Sequence, residues 1–255
     1  MARELRRLLI GRDRLVAAGN GPLPLTAEES RYLERVLRYR PGDGFAVVDG
    51  EGSLWTARLR DDRCADLEQP LAAPRQQSAR PLPRLVLAAA VVKRDFELVV
   101  RMAVELGADA VIPLVCEHTA VQGQLRPERW RSIAAEAAEQ CERLWQPEIA
   151  APLPVAALLT QLPSGALQLW ASARGDGRPE LDALLEPLGP QAADAPTQVC
   201  LACGPEGGWS EGEELQAQAQ GWQPVGLGPR ILRSSTACVA GLSVISLWRA
   251  RRWGC

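Results

Sequence analysis

The chain has little with which to run conventional side-chain catalysis. Its 255 residues include one histidine, His118, and one lysine, Lys93. A single imidazole gives no partner for a His-based relay and too few ligands for a zinc site, so no metal is expected. No run of eighteen apolar residues occurs, so no membrane span is expected. The opening stretch "MARELRRLLIGRDR" interleaves charge with apolar residues and lacks a signal-peptide core, which predicts a cytoplasmic protein. The cysteines stand at 64, 116, 141, 200, 203, 238 and 255, an odd number that forms no disulfide framework. Cys200 and Cys203 have redox-motif spacing, but they lie in or at the end of an apolar run rather than at a helix start. They read as packed thiols.

What is present is unevenly placed. The net charge is only −2, yet residues 1–40 hold nine arginines (Arg3, Arg6, Arg7, Arg12, Arg14, Arg31, Arg35, Arg38 and Arg40) against five acids. Guanidinium forks suit phosphates and base edges, and they also make ordinary solvated surface in an arginine-rich chain. Charge alone leaves both readings open.

Hydrophobic patterning divides the chain in two. "QPLAAPRQQSARPLPR" has no apolar period and reads as a linker, giving expected domains at 1–72 and 84–255 joined by 73–83. In the first part, "GFAVVDGEGSLWTARLR" predicts a hairpin, and "AEESRYLERVLR" a helix carrying Arg35 and Arg38. A small β-rich barrel with a short basic helix is expected. Beyond the linker, apolar strands ("RLVLAAAVV", "ADAVIPLVC", "ALQLWA", "TQVCLA") alternate with helical segments, predicting an α/β fold with a mainly parallel sheet.

Two loops carry the chemistry. "CGPEGGWSEGEEL" places a nearly bare turn between a strand and a helix that opens with the capping box Ser210–Glu213. The turn lacks the G-K-[ST] of a phosphate loop and the G-x-G-x-x-G of a dinucleotide fold. "LGPRILRSSTA" is a second Gly-Pro turn after a strand. If both sit at carboxyl ends of neighbouring strands, they make a pocket lined by main chain, with Glu206, Arg230 and Arg233 at its rim. Such a pocket suits a cofactor that brings its own reactive group.

"CGPEGGWSEGEE" and "LGPRILRSSTA" resemble the paired signature loops of the ribosomal RNA small subunit methyltransferase E family, among the SPOUT methyltransferases. "YLERVLRYRPGD", "VVDG", "FELVVRMAVELGADAVIPLVCEHT" and "RWRSIAAEAAEQCERLWQPEI" extend the resemblance along nearly the whole chain. It implies a PUA-like RNA-binding barrel followed by a SPOUT domain with a C-terminal trefoil knot. It also implies S-adenosylmethionine as cofactor, a homodimer, and methylation of N3 of a uridine in 16S rRNA on the small ribosomal subunit. The cofactor residues would be Leu169, Trp170, Ala171 and Ser172, then Cys203, Gly204, Pro205, Glu206, Gly207 and Gly208, then Leu227, Gly228, Ile231, Leu232 and Arg233. Arg233 and Arg230 would stabilise the uridinate, and Glu206 would orient an arginine or accept the proton. Arg6, Arg7, Arg35, Arg38, Lys93 and Arg94 would contact RNA. Family members commonly carry a glutamate where this chain has Ser235, and Ser234 or Ser235 is expected to cap the last helix instead. The alternatives are a SPOUT enzyme acting on a ribose 2′-hydroxyl and a non-catalytic RNA-binding relative.

Overall fold

The computed structural model describes residues 5–61, 63–119, 125–161, 163–173, 177–192 and 195–254; Arg3 and Cys255, counted above, lie outside them. The chain forms two compact units, the first running to Arg80 and including Ala138–Gln146, the second holding the remainder.

The first unit contains β1 (Arg7–Leu9), α1 (Arg12–Ala18), β2 (Leu23–Pro24) and α2 (Ala27–Arg31). A π-helical turn at Tyr32–Val36 follows, then β3 (Gly44–Val48), β4 (Ser53–Leu59), β5 (Cys64–Leu67) and β6 (Gln76–Gln77). The strands form one sheet in the order β1-β3-β4-β5-β2, with β6 on β4. The predicted hairpin is the antiparallel pair β3–β4. The helix predicted over "AEESRYLERVLR" begins on a Thr26–Glu29 capping box, but its second half widens into the π-helical turn. Trp55, Phe45, Ile10 and Leu15 are fully buried between these elements, each contributing on the order of 1.5–3 kcal/mol by leaving water.

The division expected at 73–83 misses one segment. Leu144 packs with Val48 and Leu54, and the Trp145 indole donates to the carbonyls of Ser78 and Ala79 at 3.1 Å each. A boundary placed from local composition cannot register an apolar pair that returns from so far along the chain.

The second unit begins with β7 (Arg84–Ala90), α3 (Phe96–Glu105), β8 (Ala110–Val115) and α4 (Pro127–Gln140), whose last residues fall to the first unit. It continues with β9 (Glu148–Ile149), β10 (Leu153–Pro154), α5 (Val155–Gln161), β11 (Ala166–Ala171) and α6 (Leu181–Leu185). The last elements are β12 (Gln198–Cys203), α7 (Glu211–Ala219), β13 (Gln223–Val225) and α8 (Ser234–Trp253). The sheet order is β10-β8-β7-β12-β11-β13, with β9 beside β8 and all pairings parallel. Every residue of β12 is buried, as a strand covered on both faces requires. Because the strands run one way, the turns after β7, β8, β11, β12 and β13 gather at one edge. At the opposite edge the buried Arg249 of α8 pairs with Asp109 at 2.6 Å and donates to the Gly107 carbonyl at 2.9 Å. No helix among the described residues is long and apolar enough to cross a membrane.

Candidate functional site

The turns after β12 and β13 meet the end of β11 around one cavity of about 250 Å³. The β12 turn delivers Gly204, Pro205, Glu206, Gly207 and Gly208 to its wall. From the β13 turn come Leu227, Gly228, Arg230, Ile231 and Leu232, and from the end of β11 Ala171 and Ser172. These predicted residues, distant in sequence, are brought together.

Side-chain bonds hold the two turns in register. The hydroxyl of Ser234 donates to the Gly204 carbonyl at 2.6 Å, tying the second turn to the first. Trp209 packs its indole against Gly204, where a side-chain Cβ would lie 2.9 Å from the ring. The same indole donates to the Ala171 carbonyl at 2.9 Å and stacks on Trp170 with centroids 3.8 Å apart. The Glu180 carboxylate accepts from the Gly228 amide at 2.8 Å. Ser210 and Glu213 complete their reciprocal cap, which starts α7 and ends the first turn. Among the described residues, the amides of Glu206, Gly207, Ile231 and Leu232 donate to no protein group. Both turns therefore carry amides left without a protein acceptor, as a main-chain-lined site requires.

Some expected residues lie elsewhere. Leu169, Trp170 and Cys203 are buried within β11 and β12, and their side chains sit behind the cavity wall. Strands covered on both faces leave no side chain free except at their ends. Cys203 hydrogen-bonds Cys238 and is buried, which together push its thiol well above the ordinary range. Burial does the same to Cys200. Both are neutral packing groups. Arg233 is exposed and stands outside the wall, at the N-cap of α8. That position corrects the expected serine cap: Ser234 is already helical, and its hydroxyl is committed to Gly204. Arg7 is also committed, since its guanidinium pairs with Glu142 at 2.9 Å and is only 15% exposed. Arg6, Arg35 and Arg38 are exposed in the first unit, and Lys93 and Arg94 are exposed just after β7 in the second.

A profile of the RNA methyltransferase domain matches residues 79–246, and one of the RNA methyltransferase PUA domain matches residues 25–63. A ribosomal RNA small subunit methyltransferase E from Synechocystis sp. is 39% identical over 242 residues, covering 94% of this chain and 77% of the relative. The chain belongs to that family. A family member from Neisseria gonorrhoeae, solved bound to S-adenosyl methionine, matches with a TM-score of 0.76 at 26% identity, covering 96% of this chain and 98% of its own. A putative methyltransferase from Legionella pneumophila, solved with bound SAM, matches with a TM-score of 0.79 at 25% identity, covering 96% and 98%.

Several residues at the site escaped the sequence reading. Arg178 and Glu214 add one charge of each sign to the wall, and the Ser172 hydroxyl lies 3.4 Å from Glu214. Glu180 sits in "RPELDALLEPLG", an acidic segment that carries no motif pointing to the site. Trp209 was visible inside the signature loop, but its bonds reach β11, far back in the chain.

Proposed function

We propose that this chain transfers a methyl group from S-adenosylmethionine to N3 of a uridine in 16S rRNA of the small ribosomal subunit. The observation that carries the reading is the cavity lined by two Gly-Pro turns, the first nearly free of side chains, with unengaged amides in both. Those amides and the exposed carboxylate and guanidinium groups suit a zwitterionic nucleoside. The volume, about 250 Å³, is near the lower end of small-ligand sites, roughly 300 Å³ upward. Ile231 leaves 75% of its surface bare at the rim, an apolar area that a bound adenosine would cover. The relatives solved with this cofactor support the same choice.

S-adenosylmethionine supplies an electrophilic methyl group on a sulfonium. The protein's part is to hold the uridine and ease the loss of its N3 proton. Each pKa unit removed from N3 lowers the cost of ionisation by about 1.4 kcal/mol. The Arg230 guanidinium, on the wall, stabilises the uridinate, and Arg233 adds positive charge just outside. Glu206 is exposed on the wall and has no ion-pair partner among the described residues, so its carboxylate takes the proton. Ser235, in the first turn of α8, has no carboxylate to compete for that role.

RNA is held by Arg6, Arg35 and Arg38 in the first unit and by Lys93 and Arg94 in the second. Arg7 positions the end of the α4 segment instead. The PUA-like barrel and the trefoil knot belong to this reading. The six-stranded sheet supports the first, and the insertion of β12 between β7 and β11, with β13 outside, supports the second. The protein is a cytoplasmic homodimer, with α8 exposing Leu247 at 58% for a partner copy; sedimentation at monomer mass would refute the dimer. The main test is nucleoside mass spectrometry of unmodified 30S subunits after reaction with labelled S-adenosylmethionine. N3-methyluridine is expected; a 2′-O-methyl nucleoside, or cofactor binding without transfer, would favour the ribose-directed or the non-catalytic alternative.

A further inference from the structure

The only histidine plays no part in the chemistry above, yet it touches the β12 turn. His118 lies in the short turn after β8, where the Thr119 amide donates to the Cys116 carbonyl at 3.0 Å and the Cys116 amide donates to the Thr119 hydroxyl at 2.9 Å. These paired bonds close the turn. Its neighbour Glu117 donates its amide to Glu213 at 2.9 Å, while the other oxygen of Glu213 accepts the Ser210 amide at 2.9 Å. The capping carboxylate of α7 is thereby also an anchor for the β8 turn.

The imidazole makes the second grip. Nδ1 of His118 lies 3.1 Å from the Gly208 carbonyl oxygen. A carbonyl can only accept, so a hydrogen bond here requires the proton on Nδ1 and leaves Nε2 without one in the neutral ring. Gly207 packs on the same side chain: a Cβ at that position would lie 3.0 Å from the His118 Cβ. Gly208 adopts φ +76°, and its amide donates back to Pro205 at 3.0 Å. Its carbonyl belongs to the peptide that leads into Trp209, so holding it sets the direction in which the indole enters. His118 is not itself on the cavity wall.

We propose that His118 is a positioning residue, whose Nδ1–H clasps the Gly208 carbonyl and keeps the 204–208 turn in the shape that receives S-adenosylmethionine. The inference rests on the cofactor reading above. It assigns the lone histidine to main-chain geometry and leaves the proton chemistry to other groups. Asparagine can present a side-chain N–H where the Nδ1–H stands, whereas alanine cannot.

Two measurements test it. Calorimetric titration with S-adenosylhomocysteine should show His118→Ala binding about 2- to 12-fold more weakly, the range one net hydrogen bond carries, and His118→Asn within about twofold of the unaltered chain. Equal binding by His118→Ala, or His118→Asn as weak as alanine, would overturn the proposal. Nitrogen-15 NMR of the single imidazole at neutral pH should show the proton on Nδ1; a ring protonated on Nε2 alone would also overturn it. Should the unaltered chain not bind S-adenosylhomocysteine at all, the proposed function fails, and the ring tautomer still decides whether His118 holds Gly208.

Discussion

Ser234→Ala isolates the bond that joins the two turns. Ser234 is 9% exposed and donates to the Gly204 carbonyl at 2.6 Å. A net hydrogen bond is worth about 0.5–1.5 kcal/mol, and a carbonyl left dry and unpaired costs about 1–3 kcal/mol. Gly204 is half-buried, so water restores part of what is lost. A loss of about 1 kcal/mol results, or about fivefold in Kd if it falls on the bound state. It should fall there, because the bond sets the spacing between the turns that grip the ligand. Calorimetry with S-adenosylhomocysteine should therefore show about fivefold weaker binding for Ser234→Ala. Ser235→Ala, which removes no such bond, should stay within about 0.5 kcal/mol. A lowered Tm with unchanged Kd for Ser234→Ala would show that the bond serves folding alone and refute the reasoning.

Other consequences are equally direct. Arg230→Ala should reduce kcat by about 10²–10³, a larger factor than its effect on cofactor Kd, as for loss of one preorganised charge at a reacting group; single-turnover methyl transfer reads this, and an unchanged rate rejects the role. Burial, then the nearby Glu213 charge, push the Cys116 thiol up to about 12. Below the ordinary thiol range near 8.5 the group is protonated in both folded and unfolded chains. Above it only the unfolded chain loses the proton, so stability should fall as pH rises toward 12. Cys116→Ala should flatten that decline in thermal melts, and an equal decline in the variant would contradict it. Arg249→Met leaves Asp109 buried without its cation and should cost about 3–5 kcal/mol in urea unfolding; a change below about 1 kcal/mol would show that the pair is not buried as described.

Local signals were legible where residues act on their neighbours. "ALQLWA" is β11 residue for residue, and the Ser210–Glu213 box starts α7 where its spacing predicts. The two Gly-Pro turns were visible because glycine and proline have few other uses between a strand and a helix. What could not be read depends on pairs far apart in the chain. His118 with Gly208, Trp209 with Ala171 and Glu180 with Gly228 meet only after the parallel sheet gathers its strand ends. The serine cap failed for the same reason: a hydroxyl at a helix start prefers a local amide by propensity, but a carbonyl from another turn was within reach. Leu169, Trp170 and Cys203 were placed at the cofactor by the family resemblance, whereas coverage of both sheet faces hides their side chains.

A crystal structure of the chain grown with S-adenosylhomocysteine tests the central claim most directly. The ligand should lie between residues 204–208 and 227–232, with its adenine bonded to main-chain groups. Ligand density elsewhere, or an intact crystal in which that cavity stays solvent-filled at saturating ligand, would contradict the account.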